Sequence, residues 1–217
     1  FGGLGNNLFN PALVGRAALL VAFPAQMTTW PKVGQTFAYL DAETGATPLS
    51  IMKQAIKSGD ASVLDRLPDS LSLFLGNHPD GAGAMGEICA LALLLGLAYM
   101  LWKKIITWHI PVSIIVTVFV LAGLMHVVNP VYADPVSVVL SGGLMLGAIF
   151  MATDYVTSPM THRGQLIYGV AIGALTVIIR NWGAYPEGMS FAILIMNAFT
   201  PLINNYVKPK RFGEVAK

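Results

Sequence analysis

The chain has 217 residues, of which 55% are hydrophobic and only 11% are charged. A soluble globular domain carries roughly 25% charged residues, so this composition indicates that water is not the main solvent of the chain. The 13 Lys and Arg residues against 11 Asp and Glu residues leave a net charge of +2, too sparse a basic surface to bind nucleic acid. Cys89 is the single cysteine, which excludes an internal disulfide and a thiolate metal cluster.

Six apolar stretches approach the length of about 20 residues that spans a bilayer. They cover residues 11–27, 85–102, 105–128, 135–152, 166–179 and 189–207. Lipid offers the backbone no hydrogen-bond partner and the stretches are too long for barrel strands, so we expect helices. Phe1 follows neither a Met nor a charged leader, so no signal peptide is visible and we expect further sequence upstream.

A more polar segment, residues 30–83, lies between the first two stretches and holds ten of the 24 charged side chains. We interpret it as a soluble excursion from the membrane. Within it, residues 49–57 and 61–67 have the pattern of short amphipathic helices, and residues 70–75 form a short apolar run. The predicted organisation is therefore a membrane segment 1–29, the excursion 30–83, a five-helix membrane region 84–207 and a basic tail 208–217.

The positions of Lys and Arg in the short loops predict the orientation, because cytoplasmic loops carry an excess of these residues. Basic residues follow the second, fourth and sixth stretches, at Lys103, Lys104, Arg163, Lys208, Lys210 and Arg211. If these loops and the C-terminus are cytoplasmic, residues 30–83 face outward. We therefore expect a multi-pass protein of a bacterial or archaeal cytoplasmic (inner) membrane.

Two short apolar segments, LFNPAL at residues 8–13 and AFTPLI at residues 198–203, resemble each other. Paired, Pro-interrupted membrane segments indicate a fold built from repeats, with discontinuous helices around a central site. Recurrence of Pro and Phe in apolar sequence explains the match equally well, so both interpretations stay open.

The most specific motif is DAETGATP at residues 41–48, within the excursion. Thr47 precedes Pro48, which restricts Thr47 to an extended backbone. Gly45 permits a tight turn and Ala46 adds little bulk, so we expect the Thr47 hydroxyl to be accessible to a modifying enzyme. A threonine hydroxyl is a poor nucleophile until a base or metal activates it. An unmodified turn is the alternative interpretation.

This motif resembles the pattern Asp-x-x-Ser/Thr-Gly-Ala-Thr. In the homologous membrane subunits of the Rnf and sodium-pumping NADH:quinone oxidoreductase complexes, a flavin transferase joins FMN through its phosphate to the last threonine of this pattern. Other blocks are similar to the RnfD subunit of the Rnf electron transport complex (NqrB/RnfD family), almost end to end. They are FGGLGNNLFNP at 1–11, FPAQMT at 23–28, GE at 86–87, FMATDYVTSP at 150–159, YPEG at 185–188, NAFTPLI at 197–203 and KPKRFG at 208–213.

The resemblance implies an all-α integral membrane protein, a multi-helix transmembrane bundle with an inverted-repeat, transporter-like fold and a soluble flavin-bearing excursion. It implies FMN in phosphoester linkage to Thr47, with Asp41, Thr44, Gly45 and Ala46 completing the flavinylation motif, and a second, noncovalent flavin such as riboflavin. The implied function is electron transfer within an ion-translocating (Na⁺ or H⁺) ferredoxin:NAD⁺ oxidoreductase, a translocase. The implied partners are the other Rnf subunits, the flavin transferase during maturation, and membrane lipid.

Three alternatives remain open from the sequence. The chain could be NqrB, the flavinylated membrane component of the Na⁺-translocating NADH:quinone reductase, a urea- or ammonium-type channel without a redox role, or a membrane anchor that has lost its flavin. No Gly-rich phosphate loop follows a strand pattern, so we do not expect this chain to bind NAD⁺ itself. Trp30, Phe37 and Tyr39 could pack against the flavin ring or anchor the chain at the membrane interface.

Arg16 and Glu87 are charged residues within apolar stretches, where burial of a charge is costly, so both are candidate functional residues. Arg16 could face the flavin or another anionic group, or pair structurally with Glu87 or Asp154. Glu87 could lie on an ion path, or it could lie in the first turn of its helix, where a carboxylate meets the N-terminal dipole.

Asp154 lies near Thr157, Ser158 and Thr161, and such oxygen ligands suit a small cation such as Na⁺ or the polar groups of a second flavin. Capping of the following turn is the alternative role of Asp154. The membrane-segment histidines, His109 and His126, have no acidic neighbours at ligand spacing, so we expect no metal there.

Overall fold

The structure is a computed structural model and describes residues 7–32, 43–77, 82–84, 86–185 and 187–208. Within these ranges the chain is helical and contains no β-strand. Two isolated antiparallel β-bridges occur in these ranges, one between Pro31 and Thr44 and one between Lys32 and Ala82.

Ten α-helices follow one another in the described ranges, and four of them begin with a proline at their first position, where a missing N–H costs nothing. The helices are α1 (Pro11–Ala22), α2 (Pro24–Thr28), α3 (Pro48–Ser58), α4 (Ser70–Leu75), α5 (Ala90–Trp102), α6 (His109–Val128), α7 (Pro135–Leu140), α8 (Leu144–Leu146), α9 (His162–Trp182) and α10 (Met189–Tyr206). A 3₁₀ helix at Ala61–Arg66 lies between α3 and α4, and a π-helical turn at Gly147–Met151 continues α8.

Two of these helices, α6 with 20 residues and α9 with 21, are long and apolar enough to cross a membrane. The prediction that the six apolar stretches are helical is confirmed, but several helices are shorter than the apolar stretch in which they lie. The first stretch divides at Phe23, where α1 ends and Pro24 starts α2. The second contributes only the 13-residue helix α5. Spanning by all six stretches stays a prediction.

Helices α6 and α9 pack closely against each other, and small residues make that approach possible. A Cβ on Gly169 would lie 2.9 Å from Cβ of Ser113, and a Cβ on Gly173 would lie 2.8 Å from Cβ of Thr117. Glycines one turn apart on one helix face allow two membrane helices to pack backbone against backbone. The central core surrounds this pair and includes Leu13, Ile114, Leu144, Ile149, Tyr168, Ile172 and Ile193.

The fourth apolar stretch forms a broken helix, because α7 ends at Leu140 and α8 begins only at Leu144. Gly142 in the break has a φ of 65°, a left-handed conformation that favours glycine. The break frees backbone carbonyls, and Arg180 of α9 binds two of them. Its Nη1 donates to the Val138 carbonyl at 2.8 Å and its Nη2 to the Ser141 carbonyl at 3.0 Å.

The loops that carry the basic residues meet at one end of α9. Thr107, after α5, donates to Gln165 Oε1 at 2.8 Å. Thr161, just before α9, donates to the Val207 carbonyl after α10 at 3.2 Å. The excursion meets the opposite end of α9, where Lys53 binds backbone carbonyls beyond Trp182. The predicted separation of basic loops from the excursion is therefore present in the fold.

The excursion contains the helices expected from its pattern. Helix α3 confirms the amphipathic helix predicted over residues 49–57, and the C-cap at Gly59 has a left-handed φ of 69°. The helix predicted over residues 61–67 is a 3₁₀ helix, Ala61–Arg66, instead of an α-helix. Asp60 caps it, since its side chain accepts the Ser62 N–H at 2.9 Å, and short polar caps support such single turns.

The two similar segments, 8–13 and 198–203, lie beside each other but differ in local structure. Pro11 begins α1, whereas Pro201 lies inside α10. The Asn197 amide joins the two segments: with its nitrogen toward the Tyr168 hydroxyl, at 2.7 Å, its oxygen accepts the Asn10 N–H at 3.1 Å. The adjacency of the two segments is compatible with a fold built from repeats, but the repeat stays a prediction.

Candidate functional site

Thr47 forms the N-cap of α3. Its backbone is extended, with φ −76° and ψ 150°, as the following proline predicts. The Thr47 hydroxyl oxygen accepts the Ser50 N–H at 3.2 Å, and the Ser50 hydroxyl donates to the Thr47 carbonyl at 2.7 Å. The side chain is half-buried. The hydroxyl is thus held at the positive end of an 11-residue helix, where an anionic group is stabilised.

The residues before Thr47 are fixed by backbone hydrogen bonds to two other segments. Gly45 N–H donates to the Trp30 carbonyl at 3.4 Å, and Ala82 N–H donates to the Ala46 carbonyl at 3.3 Å. Thr44 is exposed. Three members of the predicted motif are therefore positioned beside Thr47, whereas Asp41 lies outside the described residues, as do Phe37 and Tyr39.

A cavity of about 460 Å³ opens next to Thr47. Its lining comes from the first apolar stretch, the excursion and the broken helix, and includes Leu20, Met27, Trp30, Gly45, Ala46, Thr47, Ser50, Leu73, Gly83, Glu87, Ile88, Leu140, Ser141, Gly142, Tyr185 and Glu187. Cofactor sites usually measure about 300 to 1,000 Å³ and are mostly apolar with a few polar groups. This cavity has that size and that character.

Among the described residues, the aromatic side chains that line the cavity are Trp30 and Tyr185. The sequence indicates that Trp30 could pack against a flavin ring, and its position in the cavity lining is compatible with that role. Tyr185 was not singled out, although it stands in the YPEG block. Its ring stacks against Phe191 with centroids 6.0 Å apart, which fixes its orientation.

Arg16 lies between two carboxylates beside this cavity. Its Nη1 is 3.6 Å from Oε1 of Glu87, and its Nη2 is hydrogen-bonded to Oε2 of Glu187. The predicted pairing of Arg16 with Glu87 is confirmed, and Glu187 is a partner that the sequence did not identify. The structure pairs Arg16 with these two glutamates and not with Asp154, the other predicted partner.

Glu87 precedes its helix instead of lying in the first turn. Residues 86–88 form a turn, Cys89 is the N-cap of α5, and Glu87 N–H donates to the Ala84 carbonyl at 2.9 Å. The interpretation of Glu87 as a group within the first turn of the helix was therefore wrong. Its side chain is only 9% exposed and packs against Gly143, where a Cβ would lie 2.9 Å from Oε1.

Lys53 anchors helix α3, which follows Thr47, to the C-terminal end of α9. Its Nζ donates to the Gly183 carbonyl at 2.5 Å and to the Ala184 carbonyl at 2.9 Å. Burial, and secondarily the positive charge of Lys57, lower the pKa of Lys53 below its usual value. Free carbonyls at a helix C-terminus attract a cation, so this contact fixes α3 on the end of α9.

A second cavity, of about 260 Å³, lies at the opposite side of the core and is polar. Its lining contains Asn7, Leu8, Val156, Thr157, Asn197, Thr200, Pro201 and Asn204. Asp154 is next to it in sequence, and its side chain accepts the Thr157 hydroxyl at 3.0 Å. Its roles as a turn cap and as a cation ligand stay predictions. In the described ranges no three His, Cys, Asp or Glu side chains converge as a metal site.

Comparison with known proteins identifies the family. The model of the NQR2, RnfD, RnfE family matches residues 1–213. The chain belongs to this family. Its relatives include the D subunit of a proton-translocating ferredoxin:NAD(+) oxidoreductase complex from Clostridium ljungdahlii, 45% identical over 217 residues, which cover 98% of this chain and 63% of the relative. The D subunit of a Na(+)-translocating complex of the same kind from Acetobacterium woodii is 45% identical over 213 residues, covering 98% of this chain and 61% of the relative.

A third relative in the family is the D subunit of an ion-translocating oxidoreductase complex from Halorhodospira halophila. It is 39% identical over 232 residues, covering 98% of this chain and 65% of the relative. The chain thus spans less than two thirds of the length of these three relatives. The resemblance seen in the sequence is confirmed at the level of the family.

Proposed function

We propose that this chain is the membrane flavoprotein subunit of an ion-translocating ferredoxin:NAD⁺ oxidoreductase complex and carries electrons through FMN joined to Thr47. The observation that carries the proposal is the position of the Thr47 hydroxyl, at the N-terminus of α3 and on the wall of a cavity of about 460 Å³. Two of the named relatives are D subunits of such complexes, and the third is the D subunit of an ion-translocating oxidoreductase complex, which favours this activity over that of the quinone reductase.

The residues around Thr47 fit a flavin phosphoester. A phosphate on Thr47 would lie at the helix N-terminus, where free N–H groups and the helix dipole stabilise an anion. Trp30 and Tyr185 offer aromatic faces, and Leu20 and Ile88 offer apolar surface to the ring system. When bound, the flavin would supply the electron-accepting group, while these residues bind it and exclude water.

The proposal includes the orientation and the repeat organisation. Excess Lys and Arg in the loops at one end of α9 supports a cytoplasmic position for that end and for the C-terminus, which leaves Thr47 outside. The broken helix between Leu140 and Leu144 supports a transporter-like fold, since such folds build their sites around discontinuous helices. Cysteine variants at Ser62 and Lys103, in a Cys89→Ser background, test the orientation: an impermeant maleimide added to intact cells should label only the Ser62→Cys variant.

A second, noncovalent flavin remains part of the proposal. The polar cavity beside Thr157 and Asn197 supplies amide and hydroxyl groups that suit the ribityl hydroxyls of riboflavin. At about 260 Å³ it is smaller than most whole-cofactor sites, so it would enclose only part of such a ligand. Flavin released by denaturing a Thr47→Val variant would support this second site, and its absence would contradict it.

The decisive experiment compares Thr47→Val with Ser50→Ala, a matched control that removes the neighbouring hydroxyl. Both are produced with the flavin transferase, denatured and examined for fluorescence in the gel under ultraviolet light. We expect a fluorescent band for the parent chain and for Ser50→Ala, and none for Thr47→Val. A parent chain without fluorescence would instead favour a channel or an anchor that lacks the flavin. Association with a ferredoxin-oxidising partner, in contrast to a quinone-reducing one, tests the choice of complex.

A further inference from the structure

The end of the fold opposite the excursion carries exposed basic residues from three separate segments. They are Lys104 in the loop between α5 and α6, Arg163 in the first turn of α9, and Lys208 just after α10. We call these three residues the basic cluster. Thr161 donates to the Val207 carbonyl at 3.2 Å, so Lys208 follows a residue that is fixed beside the start of α9.

Stacked rings join the loop between α5 and α6 to the same place. The Trp108 ring, at the end of this loop, stacks on His109 with centroids 4.2 Å apart, and His109 stacks on His162 at 4.3 Å. His162 is the first residue of α9. The hydrogen bond between Thr107 and Gln165 makes the same connection. The loop is thereby fixed against the first turn of α9, so the whole basic cluster lies at one end of the molecule.

Lys104 occupies a backbone position that suits glycine. Helix α5 ends in a Schellman motif, in which Ile105 N–H donates to the Met100 carbonyl at 2.9 Å and Lys104 N–H donates to the Leu101 carbonyl at 3.0 Å. Among the described residues, Lys104 is the one non-glycine residue with a left-handed φ, of 56°. A side chain makes that conformation costly, which is why glycine is usual there. The lysine side chain is thus present at a cost to the fold.

Arg163 also lies where its charge is unfavourable. It is the second residue of α9, and the first turn of this helix contains no acidic residue. The N-terminus of a helix has N–H groups without helical partners and a partial positive charge, so it attracts an anion and repels a cation. In the described part of the chain no carboxylate forms an ion pair with the basic cluster. An anion from outside the chain would compensate for the placement of both residues.

Exposed aromatic side chains indicate which kind of anion reaches this end. Four of them lie in the segments that form it and are 52 to 79% exposed: Trp102, Trp108, Tyr155 and Tyr206. Trp and Tyr concentrate at the level of the lipid headgroups, because the body of each side chain is apolar and its N–H or O–H is polar. This end therefore has the composition of a membrane interface, where the abundant anions are phospholipid headgroups.

We propose that the basic cluster binds the headgroup of an anionic phospholipid such as phosphatidylglycerol. Guanidinium and ammonium groups donate charge-assisted hydrogen bonds to phosphate oxygens, and the first turn of α9 favours the same anion. Ile167 and Val170 are half exposed and lie on the face of α9 that begins with Arg163, so the acyl chains can follow this face into the bilayer. Binding of the lipid does not depend on a flavin at Thr47.

Native mass spectrometry of the purified, delipidated full chain, titrated with phosphatidylglycerol, measures this binding directly. Lys104→Gly and Arg163→Gln each remove one charge from the basic cluster, and a third variant combines them. Lys57→Gln removes an exposed lysine of the excursion and is the matched control. Titration with phosphatidylcholine, whose headgroup has no net charge, measures the binding that does not depend on lipid charge.

We expect the affinity for phosphatidylglycerol to fall about fivefold in each single variant and about 25-fold in the combined one, the effect of one and of two basic side chains at an anionic surface. Lys57→Gln should match the parent, and binding of phosphatidylcholine should be weaker and equal in all variants. Glycine suits the left-handed backbone at position 104, so a loss of affinity in Lys104→Gly does not arise from misfolding.

Parent-like affinity for phosphatidylglycerol in both single variants would overturn the inference, and so would equal affinity of the parent chain for the two lipids. Competition with sn-glycerol 3-phosphate distinguishes a lipid from a free phosphate. If this soluble anion displaced phosphatidylglycerol at equal concentration, the basic cluster would be a site for a free phosphate ester and the lipid assignment would be wrong.

Discussion

Lys53 should determine how firmly the motif-bearing helix α3 is held on the membrane region. Replacement by Met keeps most of the buried aliphatic volume but removes the ammonium group that donates to the Gly183 and Ala184 carbonyls at 2.5 and 2.9 Å. Hydrogen bonds from a charged donor contribute about 1.5 to 3 kcal/mol each. Burial lowers the pKa of Lys53, so part of that gain offsets desolvation of the cation.

We therefore expect Lys53→Met to weaken the docking of α3 by about 2 to 3 kcal/mol, which falls within the range for truncating a buried charged donor. At about 1.4 kcal/mol for each factor of ten, opening of α3 should become about 30 to 140 times more frequent. Hydrogen exchange measured by mass spectrometry on peptides from residues 48–58 reports this opening directly.

Lys57→Met is the matched control, because Lys57 is exposed on the same helix. It should leave exchange of α3 close to that of the parent, since exposed charges contribute little to stability. Equal exchange in the two variants would refute the assignment of Lys53 as the anchor of α3.

Three further predictions concern the packing of the membrane region and the cavity. Gly173→Ala should destabilise the chain by about 1 to 3 kcal/mol in thermal unfolding, since its Cβ would lie 2.8 Å from Cβ of Thr117, whereas Gly15→Ala, which meets nothing within 4 Å, should not destabilise it. Tyr168→Phe should lower stability by about 0.5 to 1.5 kcal/mol, because the fully buried Asn197 amide loses its hydrogen bond to the Tyr168 hydroxyl at 2.7 Å while it keeps the one from Asn10 N–H. Trp30→Leu should increase flavin fluorescence in the folded chain if Trp30 packs against the ring, and an unchanged emission would place Trp30 away from it.

The helical elements follow closely from the sequence, because apolar length and proline position act locally. Pro11, Pro24, Pro48 and Pro135 each mark the start of a helix. The extended backbone of Thr47 likewise follows from the proline after it. These features depend on neighbouring residues and need no knowledge of the tertiary fold.

The broken helix after Leu140 depends instead on tertiary contacts. Residues 135–152 are mostly apolar and carry no charge, so their pattern predicts a helix without a break. Arg180 lies about 40 residues away, yet it binds the carbonyls that the break releases. A left-handed Gly142 gives only a weak local signal, because glycine is also common in unbroken membrane helices.

The cluster of Arg16, Glu87 and Glu187 beside the cavity was only partly predictable from the sequence for the same reason. Arg16 and Glu87 are charged residues in apolar stretches, and their predicted pairing is confirmed. Glu187 lies in the short loop before α10, and no local pattern distinguishes it. The convergence of the three side chains depends on tertiary contacts, which include the close approach of Glu87 to Gly143.

The central claim, that Thr47 carries the flavin, is tested most directly by fragment-ion mass spectrometry of the tryptic peptide that spans residues 33–53. The peptide contains Thr36, Thr44, Thr47 and Ser50 as competing hydroxyls. For material made with the flavin transferase, we predict an added FMN mass that only fragments containing Thr47 retain. An unmodified peptide, or a flavin located on Thr44 or another hydroxyl, would contradict the account.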